Sequence, residues 1–80
     1  MNLRVGDEIW NNGDMANEAH FGRIVKIEGS GVYIECFEGS YAVTKSAFSE
    51  EYLGHSGTRF VLASEYRRWR QARMARLAGG

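Results

Sequence analysis

The residue types that most often form metal sites or nucleophilic pairs are scarce in this 80-residue chain. Cys36 is the only cysteine, and the two histidines are His20 and His55. Zinc ligands normally come in closely spaced pairs, whereas these three residues lie in separate segments. A cysteine on the inward face of a strand is usually inert. The sequence therefore predicts neither a metal site nor a cysteine–histidine nucleophile.

Carboxylate pairs and glycine-rich turns make no stronger case for catalysis. Asp7 and Glu8 are adjacent, and so are Glu50 and Glu51. Because adjacent strand residues point to opposite faces, the first pair is not expected to share a proton. The glycines of residues 29–40 lack the spacing of a phosphate-binding loop that leads into a helix. We therefore expect no enzymatic activity and no cofactor.

Arginine is the residue type whose placement stands out. All basic residues after residue 63 are arginines, and Tyr66 and Trp69 lie among them. A guanidinium is a planar, bidentate donor that suits phosphate or carboxylate, and aromatic rings add stacking surface. The candidate residues for binding a polyanion are Arg67, Arg68, Trp69, Arg70, Arg73 and Arg76.

The charge is balanced overall but not along the chain. Residues 1–58 carry four basic residues against nine carboxylates, a net charge of −5, and residues 59–80 carry six arginines against Glu65, a net charge of +5. Such asymmetry bears on partners rather than on fold. Three interpretations stay open: the arginines neutralise the acidic part of their own chain or of a second copy, they bind nucleic-acid phosphate, or they dock on an acidic protein.

Short strands separated by glycine turns are expected over most of the chain. They are predicted at residues 5–10, 22–28, 32–38, 41–44 and 58–63, with a single helical turn at residues 45–52. The polar residues 11–20 are expected to form a long exposed loop. Strands that recur every 8–12 residues are typical of a small antiparallel barrel. We predict one domain over residues 1–80, with the barrel at residues 3–63.

Alternation along these strands predicts which side chains fill the barrel. The expected core is Val5, Ile9, Val25, Ile27, Val32, Ile34, Cys36, Val43, Phe48, Phe60 and Leu62. Large aromatic side chains then remain on the outer face. The expected surface for helix docking or for contact between subunits consists of Trp10, Tyr33, Phe37 and Tyr66.

A basic helix is predicted over residues 64–78. Ser64 is a good N-cap, and Glu65 suits the positive end of the helix dipole. One helical face carries Leu62, Tyr66, Trp69, Arg73 and Leu77. We expect the first turns to dock on Trp10 or Phe37, and the turns from Arg70 onward to project from the domain.

Three stretches of the sequence carry a family resemblance. They are "GRIVKIE", a glycine turn with "VYIE", and "YAVTKSAFSE", which is followed by "RFVLA" and the helix. In this pattern residues 5–69 resemble the small SH3-like barrels, most closely the PRC-barrel type, although Thr44 stands where that family often has proline. The resemblance implies a mainly β fold, a small SH3-like antiparallel β-barrel with one C-terminal α-helix. It also implies roles in binding and assembly.

The sequence thus predicts a small, non-enzymatic binding module whose arginine-rich helix contacts nucleic acid or an acidic protein. The alternative is a structural homo-oligomer. Asp7 and Glu8 precede any apolar run, so the N-terminal segment is not expected to be a secretory signal. The apolar stretch at residues 60–63 is too short to cross a bilayer. The single cysteine excludes an intramolecular disulfide. We therefore expect a cytoplasmic protein that does not associate with membranes.

Overall fold

A computed structural model of the chain describes residues 2–13, 18–37, 39–55 and 59–79. The elements in chain order are β1 (Glu8–Asn11), β2 (His20–Glu28), β3 (Gly31–Cys36), β4 (Gly39–Thr44), two 3₁₀ turns (Lys45–Ala47 and Glu50–Tyr52), β5 (Phe60–Leu62) and α1 (Ala63–Ala78). The strands form one antiparallel sheet in the order β4-β3-β2-β1-β5. The prediction of a mainly β fold with one C-terminal helix is confirmed.

The hydrophobic core lies on one face of this sheet. Its buried members are Ile9, Ile24, Val32, Ile34, Phe48 and Phe60, and the partly buried side chains packed against them are Leu3, Ile27, Tyr41, Val43, Ala47 and Leu62. The inward position predicted for Phe48 is confirmed, although two 3₁₀ turns stand where one helical turn was expected. Cys36 is only half-buried.

A bulge in β2 changes which of its residues face the core. The register against β3 shifts between Ile24 and Lys26, which leaves Val25 as an extra residue. An extra residue interrupts the alternation of side chains, so Ile24 and Ile27 both pack on the core. Ile24 is fully buried while Val25 is 43% exposed. The prediction that Val25 lies in the core is wrong for this reason.

Val5 lies in a turn rather than in the core. The backbone N–H of Asp7 donates to the carbonyl of Arg4 at 3.1 Å, and Gly6 has a φ of +95°. That φ favours glycine because a Cβ would be strained there. β1 begins only at Glu8, and Val5 is 62% exposed. The predicted core position of Val5 is wrong because the turn ends the alternation before it reaches this residue.

The ends of the polar segment between β1 and β2 are buried. Asn11 and His20 pair with each other in the sheet and are 7% and 8% exposed. The Asn11 side-chain oxygen accepts a hydrogen bond from the backbone N–H of Gly13 at 2.7 Å. The expectation of a long exposed loop is wrong at both ends, because the strands extend into it. Its middle, residues 14–17, lies outside the described residues.

The edges of the sheet, β4 and β5, are connected through the segment that follows β4. Phe48 and Phe60 form an isolated parallel bridge, and their rings lie 5.2 Å apart. The backbone N–H of Ser49 donates to the carbonyl of Phe60 at 3.1 Å. This segment therefore brings the two edges of the sheet towards each other.

The helix covers the other face of the sheet, at β1 and β5. Trp10 of β1 pairs with Val61 of β5, so their side chains share the face opposite Ile9. Val61 is fully buried and Ala63 is 1% exposed, although neither belongs to the core cluster. A second, smaller apolar layer thus lies between the sheet and α1.

The start of α1 is set by burial rather than by a capping side chain. The helix begins at Ala63, directly after β5, and Leu62 occupies the N-cap position without a side-chain hydrogen bond. Ser64, the predicted N-cap, lies inside the first turn and is exposed. The N-cap prediction is wrong because the chain becomes helical where the buried Ala63 meets the sheet.

Candidate functional site

Aromatic stacking fixes the first two turns of α1 to the sheet. The ring of Tyr66 lies on that of Trp10, with centroids 4.0 Å apart and planes 11° apart. The edge of the Phe21 ring meets Trp10 at 4.7 Å and Tyr66 at 6.1 Å between centroids. Aromatic pairs contribute about 0.5–1.5 kcal/mol beyond the area that they bury. Three rings from β1, β2 and α1 therefore hold the helix in place.

Two of the candidate arginines have carboxylate partners within the molecule. Nη1 of Arg67 lies 2.7 Å from Oε1 of Glu8, and its guanidinium lies 4.8 Å from the ring centroid of Phe21. Arg68 pairs with Glu65, one turn earlier in the helix, at 3.3 Å. Arg67 thus joins the helix to the acidic sheet, whereas the ion pair of Arg68 lies within α1.

The candidate arginines beyond Trp69 are placed differently. Within residues 2–13, 18–37, 39–55 and 59–79, Arg70, Arg73 and Arg76 form no ion pair with a carboxylate. Nη1 of Arg70 donates to the hydroxyl of Tyr66 at 3.4 Å, and the guanidinium of Arg73 lies 5.5 Å from the ring centroid of Trp69. All three side chains are exposed, so their charges are available to solvent.

These three arginines share the helical face of the docked aromatic residues. At 100° per residue, Arg70 and Arg73 fall within about 40° of Tyr66, and Arg76 falls within about 20° of Trp69. The opposite side of the same turns carries the uncharged Gln71 and Ala75. We call Arg70, Arg73 and Arg76 the distal arginine face.

A cleft of about 280 Å³ borders the distal arginine face. It is lined by Trp10, Asn12, Gly54, His55, Tyr66 and Trp69. Arg70 contacts one of these aromatic residues and Arg73 lies over another. We call this cleft the aromatic cleft. Its walls come from β1, from α1 and from the segment after the second 3₁₀ turn, which are far apart in sequence.

Asn12 and Gly54 hold the walls of the aromatic cleft. Nε1 of Trp10 donates to Oδ1 of Asn12 at 3.0 Å, and the Asn12 side-chain amide donates to the carbonyl of Tyr52. Gly54 has a φ of +79°, and a Cβ on it would lie 2.9 Å from Cζ2 of Trp69. Glycine is required there both by the backbone and by the close approach of the indole.

Sequence reasoning missed Asn12, Gly54 and His55 as cleft residues. Each lies in a connecting segment without periodicity, and only the fold brings them to Trp69. The one signal that could have been followed is Gly54, since a glycine in a loop often marks a close approach.

Tyr33 and Phe37 lie apart from the helix. The ammonium of Lys26 lies 5.2 Å from the ring centroid of Tyr33, and Phe37 packs its ring edge-on against His20 at 5.0 Å. In the described part of the chain, no ring contact connects either residue to Trp10 or Tyr66. Phe37 is 73% exposed. Of the four residues predicted for helix docking or subunit contact, ring contacts join Trp10 to Tyr66.

Over the described ranges, no three or more histidine, cysteine, aspartate or glutamate side chains lie together as a set that could hold a metal ion. Asp7 accepts a hydrogen bond from the backbone N–H of Arg4 at 2.9 Å while Glu8 pairs with Arg67, so the two adjacent carboxylates have different partners.

Comparisons with protein-family models, with curated proteins and with solved structures found no match to this chain. Among the described residues, no helix has both the length and the apolar character needed to cross a bilayer.

Proposed function

We propose that the protein is a non-enzymatic binding module that uses its C-terminal helix to bind a polyanionic partner. The observation that carries the proposal is the distal arginine face, three exposed guanidinium groups without a carboxylate partner among the described residues. Unpaired cations on one face attract a surface of opposite charge and align with closely spaced anionic groups.

Within this proposal the six candidate residues have different tasks. Arg70, Arg73 and Arg76 bind the anionic groups directly, and Arg68, whose side chain is 72% exposed, adds positive charge on another side of the helix. Trp69 supports the cleft beside them. Arg67 keeps the helix on the sheet through Glu8, which positions the distal turns.

A pair of charge-matched variants tests the proposal. Arg70→Gln/Arg73→Gln/Arg76→Gln removes the distal arginine face, and Arg4→Gln/Lys26→Gln/Lys45→Gln removes three exposed cations elsewhere. Binding to a fluorescent oligonucleotide and to polyglutamate is measured by anisotropy. At about 50 mM salt the first variant should bind its polyanion roughly 100-fold more weakly, since three contacts are lost, and the second should change little. Equal losses in both variants, or no binding by the wild type, would refute the proposal.

A structural homo-oligomer is the second candidate function, favoured by the exposed side chain of Phe37 and by the outer edge of β4. An exposed apolar side chain beside an edge strand suits contact with a second copy. Sedimentation of the wild type and of Phe37→Ser at increasing concentration tests this function. A dimer that Phe37→Ser dissociates would support it, and a wild-type monomer at every concentration would exclude it.

We also propose that the sheet is an SH3-like barrel of the PRC-barrel type, operating in the cytoplasm. The bridge between Phe48 and Phe60 supports barrel closure, since it links the segment after β4 to β5. The free thiol of Cys36 suits a reducing compartment. An experimental structure that left the two edges of the sheet unconnected would contradict the barrel.

A further inference from the structure

The aromatic cleft and the distal arginine face touch each other, and together they indicate which polyanion fits. Arg70 donates to the hydroxyl of Tyr66, and the Arg73 guanidinium lies 5.5 Å from the centroid of Trp69. Tyr66 and Trp69 both line the cleft. An anionic group held by Arg70 and Arg73 would therefore lie beside the aromatic rings, separated from them only by the guanidinium groups.

We propose that the partner is a single-stranded nucleic acid, with an unpaired base in the aromatic cleft and its neighbouring phosphates on Arg70 and Arg73. This inference rests on the proposed function and names its ligand. Proteins that bind single strands combine cationic side chains along the backbone with aromatic rings on which bases stack. Cationic side chains and aromatic rings likewise adjoin each other here.

The size and the polarity of the cleft suit one base. Its volume of about 280 Å³ lies just below the range of about 300–1,000 Å³ typical of small-molecule pockets, so it suits a single planar ring system. Asn12 and His55 place hydrogen-bonding groups beside the three aromatic residues. A base presents both a π face and polar edges, which an acidic peptide side chain does not.

The position of the charges argues against insertion of the helix into a duplex groove. The distal arginines lie on the face that α1 turns towards the aromatic cleft, whereas the opposite side of the distal turns carries Gln71 and Ala75. A duplex would also keep its bases stacked and out of the cleft. We therefore expect a single strand to bind more tightly than a duplex of the same sequence.

The test compares a 12-nucleotide thymidine oligomer with an abasic oligomer of the same length and charge, each titrated against the wild-type protein by anisotropy. Stacking of one base should make the thymidine oligomer bind about 5- to 150-fold more tightly than the abasic one. It should also quench tryptophan emission, which the abasic oligomer should not do. Equal affinity for the two oligomers would overturn the inference and leave the proposed function standing.

Variants of Trp69 assign the effect to the cleft. Trp69→Leu keeps apolar volume beside Gly54 without a π face, whereas Trp69→Phe keeps a ring. The leucine variant should bind both oligomers with the affinity that the wild type has for the abasic oligomer. The phenylalanine variant should retain part of the preference for the thymidine oligomer. Circular dichroism verifies that both variants fold, and the wild-type comparison stands even if one does not.

The remaining outcomes separate this inference from the proposed function. If Arg70→Gln/Arg73→Gln/Arg76→Gln no longer binds either oligomer, this supports phosphate contacts by the distal arginine face. Tighter binding of a duplex, or equal binding of polyglutamate, would overturn the single-strand inference while the polyanion function remained. Failure of every polyanion to bind would overturn both.

Discussion

The two halves of α1 contain similar residues but have different surroundings. In the proximal half, residues 63–69, Tyr66 stacks on Trp10 and Arg67 pairs with Glu8. In the distal half, residues 70–78, every side chain is exposed. The same residue type thus has two roles in one helix. Arg67 differs from the distal arginines because it reaches a carboxylate of the sheet, whereas Arg68 is paired within the helix.

The largest expected effect comes from removing the stack that docks the proximal half. Trp10→Ala deletes the ring that contacts both Phe21 and Tyr66. The free energy of unfolding should fall by about 2–4 kcal/mol, below the full cost of a buried aromatic residue because Trp10 is half-buried. Urea denaturation followed by circular dichroism measures the change.

The distal half supplies the control for that variant. Leu77→Ala removes an apolar side chain that is 73% exposed, and should change the free energy of unfolding by less than about 0.5 kcal/mol. Similar losses in Trp10→Ala and Leu77→Ala would show that the two halves are not distinct.

A second large effect is expected at Gly54, where the proximal half meets the aromatic cleft. Gly54→Ala places a Cβ 2.9 Å from Cζ2 of Trp69 at a φ of +79°, so strain and displacement of the indole add together. We expect a loss of about 2–3 kcal/mol in thermal denaturation.

Gly6→Ala separates the two causes. Gly6 has a φ of +95° but no atom within 4 Å of the added Cβ, so it reports backbone strain alone, about 1 kcal/mol. Equal losses in both variants would mean that Trp69 does not pack against Gly54.

A smaller effect is expected from the ion pair between the proximal half and the sheet. Glu8 and Arg67 have side chains that are 38% and 56% exposed, so solvent screens their interaction. Their coupling energy, obtained from a double-mutant cycle of Glu8→Gln and Arg67→Gln in urea denaturation, should be about 0.2–1 kcal/mol. The same cycle with Glu35→Gln in place of Glu8→Gln should give none, and a coupling there would contradict the specific pair.

The smallest effect on stability is expected in the distal half. Arg70→Gln/Arg73→Gln/Arg76→Gln should change the free energy of unfolding by no more than about 0.5 kcal/mol, since exposed substitutions rarely do more. A fall of more than roughly 1.5 kcal/mol in the free energy of unfolding would show that these arginines stabilise the fold and are not free for a partner.

Much of the architecture could be predicted from the sequence because the local pattern and the fold agree there. Val32 and Ile34 alternate cleanly and are buried, and the helix lies within one residue of its expected range. In "GRIVKIE" the prediction was wrong, since alternation predicts that Val25 and Ile27 face the core. The bulge instead buries Ile24 with Ile27, and an extra residue in a strand leaves no mark in the alternation itself.

The candidate site could be predicted only in outline. The arginine-rich helix and its aromatic face were visible, but the difference between Arg67 and Arg70 was not. It depends on Glu8, which lies 59 residues away in the chain and reaches the helix only through the register of β1. The aromatic cleft likewise depends on Asn12 and Gly54, whose neighbours in sequence form no motif.

The salt dependence of binding tests the central claim most directly, namely that the distal arginine face is free for an external polyanion. The logarithm of the affinity for a single-stranded oligonucleotide is plotted against the logarithm of salt concentration, for the wild type and for Arg70→Gln/Arg73→Gln/Arg76→Gln. Three phosphate contacts predict that the wild-type slope is steeper than that of the variant by about 2. Equal slopes for the two proteins would contradict the account.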